Sequence, residues 1–190
     1  MGFNGQVLVG RGEAFTSALN QFWNWEEEVV EAWPLRDGWH AVHVRTPAEA
    51  DELEELAEAA DGPVLACEVF ESTTGHVRGI SAAGYWEAGL NPGNAAALRA
   101  WTTVNEQVGG DLYPNGTRQD QVEVERLTAQ YAAEFDAERP GTIRVAIAWA
   151  AQSGLNADAA RVEEVLATSW GSSVQQGFLA LLSALGISSA

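Results

Sequence analysis

Two textures of apolar spacing meet near residue 92. Before that point, short β-rich runs alternate with single helical stretches. Gln6 to Val9 is an apolar run closed by Gly10 and Gly12, and Ala14, Phe15, Ala18, Leu19 and Phe22 then recur at helical spacing, so a strand followed by a helix is predicted. Val29 to Trp33 and Trp39 to Val44 are rich in β-formers. They flank Pro34-Leu35-Arg36-Asp37-Gly38, whose proline and Asp-Gly pair supply turn chemistry, and a hairpin with a five-residue loop is expected. Thr46-Pro47-Ala48-Glu49 carries the clearest helix start, with Thr46 as cap, Pro47 at the first helical position and Glu49 closing a capping box. Leu53, Leu56 and Ala60 share one face of that helix, which stops at Asp61-Gly62-Pro63. Val64 to Phe70 is a nearly unbroken apolar run, as in a strand covered on both faces. Residues 39–70 therefore read as a β-α-β unit with a parallel strand pair and a right-handed crossover.

Thr73-Thr74-Gly75 and Ala82-Ala83-Gly84 punctuate two further strands, His76 to Ser81 and Tyr85 to Leu90, in an antiparallel meander. Asn91 then caps a helix that Pro92 begins and that runs through Trp101. From here the apolar residues keep three- and four-residue spacing. Helices are expected over 121–137, 141–152, 157–168 and 173–185, with Ile143, Ile147, Phe178, Leu181, Leu182 and Leu185 facing inward. The fold class is thus α+β: an N-terminal mixed sheet with two helices, in the order β-α-β-β-α-β-β-β over 1–92, and an all-helical half over 93–190 packed on it. Gly109-Gly110, Pro114 and Asn115-Gly116 mark 109–121 as the mobile-loop candidate.

Charge changes the picture more than any motif does. Of 190 residues, 27 are acidic and 10 basic, every basic residue is an arginine, and formal net charge is −17. Residues 1–92 hold 16 of the acidic and 4 of the basic residues, so the acidity belongs mainly to the sheet half. Such a balance disfavours direct nucleic-acid binding and docking to an anionic membrane, and it attracts a basic partner instead. The absence of lysine fits the codon bias of a GC-rich genome as readily as any functional demand. The lone Cys67 excludes an internal disulfide and any multi-cysteine metal site. No run approaches a membrane span, and the first residues carry neither a basic nor an apolar leader region, so a reducing, cytoplasmic setting is expected.

Candidate chemistry is sparse. His40 and His43 are three apart on one expected strand, which sends them to opposite faces and argues against a shared metal; no metal and no cofactor is implied. Cys67 reads as a buried, inert thiol. Val9-Gly10-Arg11-Gly12-Glu13 stands where a phosphate loop would, but it lacks the third glycine and the chain has no lysine to complete a P-loop. Glu68 is the one carboxylate expected inside a buried strand, where it needs a cation such as Arg45 or Arg78, and His43 is placed to meet it from the adjoining strand. The segment Trp23-Asn24-Trp25-Glu26-Glu27-Glu28 joins aromatic bulk to an acidic run. That is the composition of an interface anchor rimmed by charge, although core filling explains the tryptophans equally well.

These features favour a binding protein over an enzyme: a small acidic factor that docks onto and neutralises a basic macromolecule, with Trp23, Trp25, Glu26, Glu27 and Glu28 as contact residues. The competing expectation is a small-molecule site or active site between the sheet and the helical half, built on His43, Arg45, Glu68 and Arg78.

Overall fold

The computed structural model describes residues 5–22, 28–82, 84–110, 116–171 and 173–188. In chain order these form β1 (Gly5–Arg11), α1 (Gly12–Phe22), β2 (Val29–Pro34), β3 (Trp39–Val44), α2 (Ala50–Ala59), β4 (Val64–Phe70), β5 (Thr74–Ser81), β6 (Gly84–Leu90), α3 (Pro92–Gln107), α4 (Arg118–Gln152), α5 (Ala159–Ala167) and α6 (Val174–Ala184). The strands make one sheet in the order β2-β3-β1-β4-β5-β6.

Alternation along β1 shows how the layers arise. Val7 and Val9 point to one face and Leu8 to the other, and β1 carries helices on both sides because both of its faces are apolar. On the first face α1 and α2 bury Phe15, Ala18, Leu19, Leu53 and Leu56 against Leu8, Val42, Val44, Val64 and Ala66. On the second, α4, α5 and α6 bury Ala146, Trp149, Val162, Phe178 and Leu181 against Val7, Val9, Leu65, Cys67 and Val77. The helical half therefore shares a core with the sheet. At its centre Trp149 lies 6.2 Å from Trp39 and 6.3 Å edge-on from Trp86, and its indole N–H donates to the Ile80 carbonyl at 3.0 Å.

Three expectations need correction. Trp39–Val44 and Val64–Phe70 are not paired with each other: β1 occupies the slot between them and pairs antiparallel with both, so every neighbouring pair in the sheet is antiparallel. The α2 crossover still joins two strands of like direction, but it passes over β1. That helix starts at Ala50 rather than Pro47. The Ala48 N–H donates to the Gln6 amide oxygen at 2.9 Å and the Ala48 carbonyl accepts from Arg78 at 3.4 Å, which hold 46–48 out of the helix, and Glu52 instead accepts from the Glu49 N–H at 2.8 Å. Finally, residues 121–137 and 141–152 belong to one 35-residue helix that continues through Pro140. Proline there removes one hydrogen bond of the ladder. Packing holds both halves in line: Leu127 meets Ala100 and Val104 of α3, while Ala146, Trp149 and Ala150 enter the main core.

At about 50 Å, α4 outruns the sheet. Its N-terminal part packs on α3 as an arm, and Ala100, Val104 and Leu127 form the buried cluster between the two helices. Asn91 hinges the arm to the body. It adopts a left-handed conformation (φ 61°) and is buried, its side-chain amide donates to the Thr73 and Gly171 carbonyls, and its side-chain oxygen accepts from the Trp170 N–H.

Candidate functional site

Helices α1 and α2 cover only part of their sheet face, and the uncovered part, on β4 to β6, is polar. Cross-strand register places Glu68 opposite His76, and Arg78 opposite Glu87. The contacts run along the diagonals: Arg78 Nη2 is 3.7 Å from Glu68, and His76 Nε2 is 3.3 Å from Glu87, which also accepts from the Tyr85 hydroxyl. Burial and the Arg78 charge push the His76 pKa down despite both carboxylates, so the imidazole is neutral at pH 7. Burial raises Glu87, but the Tyr85 hydroxyl and His76 outweigh it and hold the carboxyl below its ordinary value. Burial and then Glu87 push the Tyr85 phenol up to about 12.

This ladder is one wall of a groove of about 770 Å³ between the β6 edge and the α3–α4 arm. The opposite wall carries Arg99, Thr102 and Thr103 from α3 and Phe135, Arg139 and Thr142 from α4. The Arg99 guanidinium stacks on the Tyr131 ring at 4.2 Å, while Arg139 is tied to Asp136 within its own helix.

A second groove, of about 490 Å³, lies beside α2. Glu54, Glu58 and Asp61 line it on one side, and Ser81, Tyr85, Gln152 and Ser153 line it on the others. It borders the most acidic stretch of the chain. Glu49, Asp51, Glu52, Glu54, Glu55, Glu58 and Asp61 are all exposed, the sequence has no arginine between Arg45 and Arg78, and among the described residues none of the seven forms an ion pair.

Of the residues singled out from sequence, Glu68 and Arg78 meet across β4 and β5, but Glu68 is half-exposed at the groove wall rather than enclosed in a core strand. His43 does not reach Glu68. It points to the opposite sheet face, and β1 stands between their strands. Arg45 is exposed beyond the end of β3, and its backbone N–H donates to the Glu28 carbonyl at 2.9 Å. Glu28 also accepts from the Thr46 hydroxyl at 2.7 Å, pinning the start of β2 to the end of β3. Trp23, Trp25, Glu26 and Glu27 lie outside the described residues. Cys67 is buried, and burial, then Glu68, raises its thiol pKa far above the ordinary value, which keeps it inert.

Sequence reasoning passed over His76, Glu87 and Arg99. Alternation groups His76 with Arg78 and Tyr85 with Glu87, but joining the two pairs on one face takes the β5–β6 register, and nothing in the pattern says which faces a helix will leave open. Among the described residues no group of three or more His, Cys, Asp or Glu side chains is arranged to hold a metal ion, and no helix is long and apolar enough to cross a membrane. Compared with known proteins, the chain matches no family model, no curated protein and no solved structure.

Proposed function

We propose that this protein docks onto, and neutralises, a basic protein partner through the outer face of α2 and the groove beside it. The observation that carries this reading is the pairing of seven exposed, unneutralised carboxylates over 49–61 with an adjoining 490 Å³ groove that presents the Tyr85 ring, 43% exposed. Carboxylates at that density accelerate encounter with a cationic surface. A groove flanked by Glu54, Glu58 and Asp61 and by an aromatic face suits the guanidinium of an inserted arginine, which can pair with the acids and stack on the ring. Leu53, Leu56 and Ala57 anchor α2 from beneath, and Asp51 and Glu52 accept backbone N–H groups at its start, which leaves Glu54, Glu55, Glu58 and Asp61 as the outward-facing acids.

Calorimetry against the basic product of an adjacent gene tests the proposal. Affinity should fall steeply as salt rises and should drop about ten-fold or more when Asp51, Glu54, Glu55 and Glu58 are changed together to their amides, with Tyr85→Ala weakening it further. Binding that ignores both salt and the amide changes would overturn it.

A second reading, ligand binding or catalysis at the junction of sheet and helical half, is favoured by one feature: the larger groove lies at that junction and brings Glu68, Arg78, His76 and Glu87 together. A neutral imidazole backed by a carboxylate can accept a proton. Loss of a turnover reaction in His76→Gln, with the fold intact, is the expected mark of that alternative.

A further inference from the structure

We infer that the 770 Å³ groove between the β6 edge and the α3–α4 arm is a binding site for a small monoanion with an apolar body, and that Arg99 is its anion handle. The inference is independent of docking at α2, which uses a different surface.

Arg99 is oriented and keeps donor capacity beyond one long ion pair with Glu134. Its guanidinium is fixed over Tyr131 at 4.2 Å and lies 5.8 Å from the Phe135 ring centre, while its nearest carboxylate, Glu134, stands at 3.9 Å. Among the described residues the side chain donates no hydrogen bond, unlike Arg78, Arg126, Arg139 and Arg161, each of which does. Stacking sets the plane of the guanidinium and leaves its N–H edge for a ligand, and a planar fork of donors matches a carboxylate in two parallel hydrogen bonds. Thr102 lines the same groove, and its hydroxyl can add a donor.

The walls supply the apolar half. Pro92, Ala95 and Leu98 run along α3 below Arg99, and Phe70, Ala88 and Leu166 close the far side. Gly89 widens the floor: it lies opposite His76 in the sheet register, and a Cβ there would stand 3.1 Å from the Ala95 methyl. An apolar chain or ring laid along these residues leaves water while its anionic end stays on Arg99.

Charge selects the class of anion. Glu68, Glu87 and Glu138 line the same groove. Glu68 is engaged by Arg78 and Glu87 by His76 and Tyr85, both at the sheet wall, which leaves the helical wall as the anion end. With Glu134 paired to Arg99, Glu138 lining the groove and the whole chain at −17, a dianion such as a phosphate monoester is repelled more strongly than a monocarboxylate.

The test is an amide NMR titration of the full chain with 4-phenylbutyrate, 4-phenylbutyramide and 4-phenylbutyl phosphate. The carboxylate should shift resonances of residues 95–103 and 135–142. The neutral amide and the phosphate should each bind about ten-fold more weakly or worse, as expected for losing a charge-assisted pair or adding repulsion. Arg99→Gln should reduce carboxylate affinity by a similar factor, and Ala95→Trp should block the groove. Comparing acid with amide on the unaltered protein decides the matter even if a variant fails to fold. Equal binding of acid and amide, tighter binding of the phosphate, shifts confined to other surfaces, or no binding at millimolar ligand would each overturn the inference.

Discussion

Single residues decide how closely the layers approach. Gly79 lies under Trp86, and a methyl placed there would come within 2.0 Å of the indole nitrogen. Trp86 is itself wedged against Trp149, so it has nowhere to retreat. Gly79→Ala is therefore expected to destabilise the fold by about 1–3 kcal/mol through overpacking, measured by urea denaturation, and a silent substitution would mean that the tryptophan cluster repacks freely. Asn91 makes a comparable demand through hydrogen bonding, since it serves Thr73, Trp170 and Gly171 from one buried position. The sequence marked it as a helix cap, and α3 does begin at Pro92. Its side chain, however, does not cap α3 but reaches those three residues instead. Contacts 79 and 80 residues away in the chain leave no local signature, so this role was illegible from sequence.

His76 gives the residue scale a pH dependence of known sign. Its folded pKa is lowered from 6.5, so between the folded and unfolded values the unfolded chain binds more protons, and the associated stability is present above pH 6.5 and lost as pH falls below it. Glu87, also lowered, adds a loss at more acid pH, below its ordinary 4.5. The side chains are partly exposed, which limits the size of both effects. Melting temperature measured from pH 7 down to pH 5 should fall less in His76→Gln than in the unaltered protein. Parallel profiles would show that burial does not disfavour the imidazolium.

At the scale of elements, legibility followed how locally each element is specified. Strands and amphipathic helices were readable because their periodicities lie within one segment: β4 and α6, for instance, match the expected ranges closely. The order of strands was not, because β1 reaches its place between β3 and β4 through pairings spanning tens of residues. Pro140 misled for a different reason. Proline disfavours helix in isolation, yet tertiary packing on both sides of it outweighs one missing hydrogen bond. That packing is uneven, and hydrogen exchange should reveal it. Amides of 120–138, supported by a three-residue cluster, should exchange faster than those of 143–150, which are locked to the tryptophan core. Leu127→Ala should widen the gap by opening the arm while protection in the sheet persists, and a uniform loss of protection would make the arm part of the global folding unit.

For the whole molecule, the charge distribution sets stability against binding. Along α2, Asp51 faces Glu54 and Glu55, and Glu58 faces both Glu54 and Glu55, at three- and four-residue spacing on one solvated side. Each such like-charge pair costs a few tenths of a kcal/mol, so the four together burden the helix by about 1 kcal/mol at low ionic strength. The acidic surplus of the chain as a whole, −17, adds to that repulsion. Changing Asp51, Glu54, Glu55 and Glu58 to amides should then raise the melting temperature by about 2–4 °C in low salt, and added salt should shrink the gain by screening the same repulsion in the unaltered protein. The sign is what carries meaning. If these carboxylates serve contact rather than folding, the amide variant should be the more stable protein and the weaker binder of a basic partner. If the amide variant melts lower instead, these carboxylates support the fold, and the docking proposal loses the physical reason for their concentration.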